Sequence, residues 1–157
     1  MILGEKVLRE MYPDLDDNQY QPNSIDLKLG KVEEAHYDGS MVGIVNGAKL
    51  LPQTTENIGD VRGRFKLEPM KSYWVIIDNE IIIPDNVCQL YYPRSTLLRM
   101  GLSLHTAVGD SGFKGHLKFL LVNNTHNPIY IDKGERIATA VNFIVDGGTK
   151  YDGDYQE

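Results

Sequence analysis

Three short polar clusters interrupt apolar runs between Tyr91 and Phe143. The first, Arg94-Ser95-Thr96-Leu97-Leu98-Arg99, follows Pro93 and sets two arginines five apart around a pair of hydroxyls. If a helical turn starts near Ser95, the Ser95 and Thr96 hydroxyls and free N–H groups there suit an anion, with guanidinium charge alongside. Taken alone, the same residues also describe an N-capped surface helix with solvated arginines. The second cluster is Gly109-Asp110-Ser111-Gly112-Phe113-Lys114-Gly115, a turn with one acid. A turn aspartate commonly bonds its own backbone. The alternative is a carboxylate that orients and deprotonates a water. Phe113 is either a core aromatic or a flat face for a sugar or base. The third cluster, Lys133-Gly134-Glu135-Arg136, is either a charged hairpin or a second basic turn. Together they supply what is needed to hold a polyphosphate and aim a water at it.

These clusters need rigid strands around them, and the rest of the chain supplies strand patterns. Leu3, Val7, Leu8, Met11 and Tyr12 have helical spacing, and Pro13 stops it, which predicts a single short N-terminal helix. Ile25, Leu27 and Leu29 alternate with Ser24, Asp26 and Lys28, a half-buried strand ending at Gly30. Residues 32–51 read as short strands and turns, and 51–61 as a surface loop. Strands are expected at 65–69, 73–77, 81–84, 87–92, 117–122, 129–131 and 138–145. Many short strands separated by turn signals predict an all-β fold, a distorted antiparallel barrel or sandwich. The glycine- and acid-rich segment 146–157 is expected to be a mobile tail on a single domain spanning 1–157.

Composition narrows the partners. The chain has 157 residues, enough for one domain with a sizeable core. Its net charge of −6 speaks against nonspecific nucleic-acid binding, so any phosphate contact must come from a local basic cluster. That suits a small nucleotide. The lone Cys88 cannot form an internal disulfide, and in its apolar context it reads as a small buried hydrophobe. His36, His105, His116 and His126 lack metal-ligand spacing. No run suggests a membrane span or signal peptide, and a cytoplasmic location is expected.

The order of the three clusters resembles that of the superfamily of trimeric dUTP diphosphatases (dUTPases) and dCTP deaminases. They match the dUTPase motifs R-S-x-L, G-x-I-D-x-x-Y/F-x-G and G-x-R-I-A-Q. Upstream, Ser24-Ile25-Asp26-Leu27-Lys28-Leu29-Gly30 is similar to the S-x-D-L-R-L-G signature shared with the deaminases, and Lys150-Tyr151-Asp152-Gly153-Asp154 to their K-Y-x-G-Q. The deaminases carry a glutamate ten residues beyond the aspartate. Here that position is Leu120, which cannot shuttle the protons that deamination requires. Three departures from the dUTPase pattern stand out: Thr139 replaces the glutamine after R-I-A, Gly109 replaces the isoleucine before the aspartate with a short preceding segment, and the long glycine-rich tail motif is missing.

The resemblance implies a β-barrel homotrimer with sites at subunit interfaces, hydrolysing dUTP to dUMP and pyrophosphate. It implies Asp110 as the residue that activates water, and Mg²⁺ held mainly by substrate phosphates and water. Arg94, Ser95 and Thr96 would bind phosphates, with Arg99 and Arg136 supporting them or pairing with carboxylates. Phe113 would select deoxyribose, and Lys150 and Tyr151 would close over the ligand from a neighbouring subunit. Two alternatives stay open: a dCTP deaminase or bifunctional enzyme, and an inactive nucleotide-binding regulator.

Overall fold

The structure, a computed structural model, describes residues 1–156. Strands dominate, as expected. In chain order they are β1 (Tyr20–Gln21), β2 (Ser24–His36), β3 (Gly43–Val45), β4 (Ala48–Leu50), β5 (Gln53–Asn57), β6 (Arg64–Leu67) and β7 (Ser72–Ile77). There follow β8 (Ile81–Ile82), β9 (Val87–Pro93), β10 (Leu102–His105), β11 (Lys114–Gly115), β12 (Lys118–Asn123), β13 (Ile129–Asp132) and β14 (Arg136–Ile144). The main sheet runs β10-β12-β7-β2-β14-β9, antiparallel throughout, with β1 and β5 also pairing β2. Short ribbons β8-β11 and β6-β13 flank it, giving a curled, barrel-like all-β body.

Three expectations are corrected. A second helix accompanies α1 (Glu5–Met11): α2 (Ser95–Met100), closed by Gly101 in the left-handed conformation at φ 96°. Strand β2 runs on past Gly30 to His36, because Gly30 sits where the register slips between Leu29 and Lys31. A Cβ on Gly30 would lie 2.8 Å from the Asp78 Cα, so only glycine lets these backbones approach so closely. Residues 53–57 form β5 rather than a loop. Their side chains (Gln53, Thr54, Thr55, Glu56) are exposed, which hides the strand from any apolar alternation.

Alternation places Tyr73, Val75 and Ile77 of β7 and Phe119 and Leu121 of β12 in the core beside Leu27, Leu29 and Ile137. The opposite face of β7 and β12 carries Trp74, Ile76, Leu120 and Val122, apolar side chains that one chain leaves half-buried. No helix among the described residues is long and apolar enough to cross a membrane.

Candidate functional site

The basic residues gather at the C-terminal end of β9. Arg94, in extended conformation as the N-cap of α2, directs its Nε to Asp26 Oδ2 at 3.0 Å. Arg136, opening β14, places Nη1 3.1 Å from the same oxygen and donates to the Asn18 carbonyl at 2.8 Å. Asp26 is buried on β2, and its burial raises the carboxyl pKa against the pull of Arg94 and Arg136. This carboxylate, which the sequence reading left without a role, holds both guanidinium groups in place. The two arginines, one capping α2 and one on β14, share this counter-charge, and Asp26 lies between apolar residues that fix its strand.

A cleft of about 300 Å³ opens beside the pair, lined by Arg94, Thr96, Met100, Tyr130 and Arg136, with Arg64 at its rim. Ser95 and Thr96 are exposed on the first turn of α2. Arg99 is exposed in its last turn and makes no ion pair among the described residues. Thr139 stands opposite Asp26 in the β2–β14 ladder and donates to Ser24 Oγ at 2.7 Å, so the residue in place of glutamine belongs to this cluster.

The remaining predicted residues form a second cluster. Asp110 to Phe113 make a type II turn: Phe113 N donates to Asp110 O at 3.1 Å, and Gly112 takes φ 79° at the third position. Neighbouring strands tie the turn down. Gly112 N donates to Ile83 O at 2.9 Å, Ile83 N to Phe113 O at 2.8 Å, and Ser111 Oγ to Val87 O at 2.7 Å. The Asp110 carboxylate is exposed and accepts no hydrogen bond from any described residue, its own backbone included. Phe113 is buried, with the Tyr151 ring edge-on at 5.5 Å. Tyr151 N donates to Ser111 O at 2.7 Å, and Lys150 lies over Gly112 with Nζ 3.8 Å from Asp85. The tail thus rests on the turn of its own chain. Farther along, Asp154 pairs with Lys49 at 2.6 Å.

The two clusters do not meet within one chain. Gly109 bridges to Gln89 in antiparallel sense, which puts Asp110 level with the start of β9. Arg94 lies five residues beyond Gln89, and at strand rise that is roughly 17 Å.

Leu120 faces outward from β12, its Cα opposite His105 and Trp74. Neither of these strand partners is a carboxylate that could take the place of the deaminases' glutamate. Gly109 has a spatial reason: a Cβ on it would lie 2.1 Å from the Tyr91 hydroxyl.

A model of the dCTP deaminase-like family matches residues 3–142. A probable deoxyuridine 5′-triphosphate nucleotidohydrolase of Methanopyrus kandleri is 44% identical over 155 residues, covering 99% of each chain. The deoxyuridine 5′-triphosphate nucleotidohydrolase of Methanocaldococcus jannaschii is 33% identical over 141 residues, 90% of this chain and 88% of that one. The crystal structure of 2′-deoxycytidine 5′-triphosphate deaminase from Agrobacterium tumefaciens has the same fold, with a TM-score of 0.70 at 20% identity over 91% of this chain. This chain spans about half of that one, 48%. From residue 3 to residue 142, the protein belongs to the dCTP deaminase-like family.

Proposed function

We propose that the protein hydrolyses dUTP to dUMP and pyrophosphate at sites shared between copies of the chain. The observation that carries the reading is the Asp110 carboxylate, exposed and without a hydrogen-bond partner among the described residues, on a turn whose backbone is fastened on both sides. Such a group keeps its lone pairs for a water. Full-length likeness to relatives named for deoxyuridine triphosphate supports the substrate.

In the reaction Asp110 accepts a proton from the water as its oxygen bonds to the α-phosphorus. The bond from that phosphorus to the bridging oxygen breaks, and pyrophosphate leaves. Arg94, Ser95, Thr96 and Arg136 hold the phosphates from the other end of β9, with Arg99 beside them. Asp26 keeps the two buried-side arginines aimed. Phe113 packs against the deoxyribose, and Lys150 and Tyr151 cover the ligand.

Among the described residues no three His, Cys, Asp or Glu side chains gather into a metal-binding cluster. A Mg²⁺ would be held mainly by phosphate oxygens and water, as the family resemblance implies. When bound, the ion would neutralise charge on the departing pyrophosphate.

The family resemblance implies a partner copy, and the outer face of Trp74, Ile76, Leu120 and Val122, with the Lys118–Glu33 pair beside Trp74, offers it a surface. Three copies is the number the family resemblance implies.

The family match keeps dCTP deamination as the second reading, and Leu120 opposes it. The deciding experiment presents dUTP, dCTP, dTTP and UTP with Mg²⁺, and scores pyrophosphate and ammonia separately. Pyrophosphate from dUTP alone supports the proposal. Ammonia from dCTP with no pyrophosphate from dUTP overturns it in favour of the deaminase.

A further inference from the structure

Behind the Asp110 turn lies a closed network of buried polar side chains. Tyr12, at the end of α1, donates its hydroxyl to Asn142 Oδ1 of β14 at 2.7 Å. Gln89 Nε2 donates to both, at 3.0 Å to Tyr12 Oη and 3.0 Å to Asn142 Oδ1. Gln89 Oε1 then accepts from the Tyr91 hydroxyl at 2.7 Å. All four residues are buried, and no buried side-chain nitrogen or oxygen among the described residues lacks a partner.

This network ends against the residue before Asp110. Gln89 and Gly109 exchange both main-chain bonds, at 2.8 and 2.9 Å. The Tyr91 hydroxyl fills the space a side chain at 109 would need, with Tyr91 Cζ 2.9 Å and Gln89 Cβ 3.0 Å from that virtual Cβ. The Tyr91 ring is itself held against Phe119, centroids 4.9 Å apart. The backbone entering Asp110 is therefore pinned by two hydrogen bonds on one side and a fixed phenol beneath.

We propose that Tyr91, locked by Gln89 and seated under Gly109, is a positioning residue that sets the direction of the Asp110 carboxylate. This rests on Asp110 being the base of the proposed hydrolysis. Burial drives the Tyr91 hydroxyl well above tyrosine's ordinary pKa of 10.0, with the charges of Tyr12 and Asp110 acting the same way, so the phenol stays protonated and keeps donating to Gln89. Small errors in the aim of a catalytic group cost turnover far more than affinity.

Tyr91→Phe, which removes one oxygen and keeps the ring on Phe119, tests this. With dUTP and Mg²⁺, kcat should fall about tenfold while KM moves less than about twofold. The amide protons of Gly109 and Phe113 should exchange about tenfold faster, while those of Leu27 and Val75 in the main sheet keep their rates. A second variant, Gly109→Ala, drives a methyl into Tyr91 and should lose turnover, part of which returns when Tyr91→Leu is added. Unchanged exchange at Gly109 and Phe113 in Tyr91→Phe overturns the inference, as does a Gly109→Ala enzyme of wild-type kcat. Asp110→Asn, measured alongside, separates the two layers. Retained turnover there removes the base itself, whereas lost turnover there with an unaffected Tyr91→Phe removes only the role of Tyr91.

Discussion

Arg94 Nε lies 3.0 Å from Asp26 Oδ2, and that one carboxylate oxygen also takes Arg136 at 3.1 Å. The contact joins the strand-end arginine of the first basic cluster to the upstream signature strand. Asp26→Ala should leave two guanidinium groups without a counter-charge. Removing one partner of a buried pair costs about 3–5 kcal/mol, and the lower end, about 3 kcal/mol, applies here. The reason is that Arg94 and Arg136 keep 30% and 27% of their side-chain surface and can turn toward water. Urea unfolding gives the stability change, and the KM for dUTP should rise about tenfold as the arginines lose their aim.

Sites shared between copies of the chain predict complementation. Asp110→Asn and Arg94→Ala should each be inactive alone. Unfolded together and refolded as a mixture, they should recover up to about a quarter of wild-type turnover, because a site drawing one cluster from each of two copies is intact in about one random pairing in four. Recovery of none, with assemblies of normal size, would show that both clusters serve one chain's own site.

Gly112 adopts φ 79°, and a Cβ there would meet Lys150 Cγ at 2.7 Å. Gly112→Ala should therefore cost about 1–2 kcal/mol from the left-handed backbone. It should also push the Lys150–Tyr151 segment off the turn. Thermal melting reads the first effect. Increased protease cleavage after Lys150 reads the second.

Acid should weaken the fold through the β6–β13 ribbon. The hydrogen bond from Arg64 lowers the Asp132 pKa, and backbone N–H groups of Arg64 and Arg62 lower that of Asp60. Groups of this sign stabilise above the ordinary value of 3.8, and the contribution fades as pH falls through the lower folded value. Asp26 has the opposite sign, since burial raises it: its contribution is complete below 3.8 and is lost as pH rises through the folded value. The difference in melting temperature between wild type and Asp132→Asn should thus be largest above about pH 5 and close below about pH 3. A constant difference across that range would contradict the assignment.

Much of the fold was legible because side-chain alternation records a half-buried strand directly, as in Ser24–Leu29, and because β-favouring runs such as Tyr73–Ile77 mark buried ones. Strand β5 was not, since an edge strand exposed on both faces carries no apolar rhythm. The extension of β2 through Gly30 was hidden for another reason: in a sequence, a glycine that admits a neighbouring backbone looks the same as one that ends a strand. The candidate site residues stand out in the sequence by their chemistry and order. What joined them did not, because Asp26 reaches Arg136 across 110 positions of chain, and nothing local marks that partnership. Tyr91 and Gln89 likewise read as ordinary strand residues until Gly109 is seen lying on top of them.

The fit of Tyr91 against Gly109 constrains how this lineage can change. A single substitution enlarging position 109 is blocked by the phenol, and shrinking position 91 first would open a hole under the turn. Both routes pass through a handicapped ancestor. Related chains with a bulky residue before the aspartate should therefore carry a smaller one at the site matching Tyr91, and the two positions should be inherited as a unit.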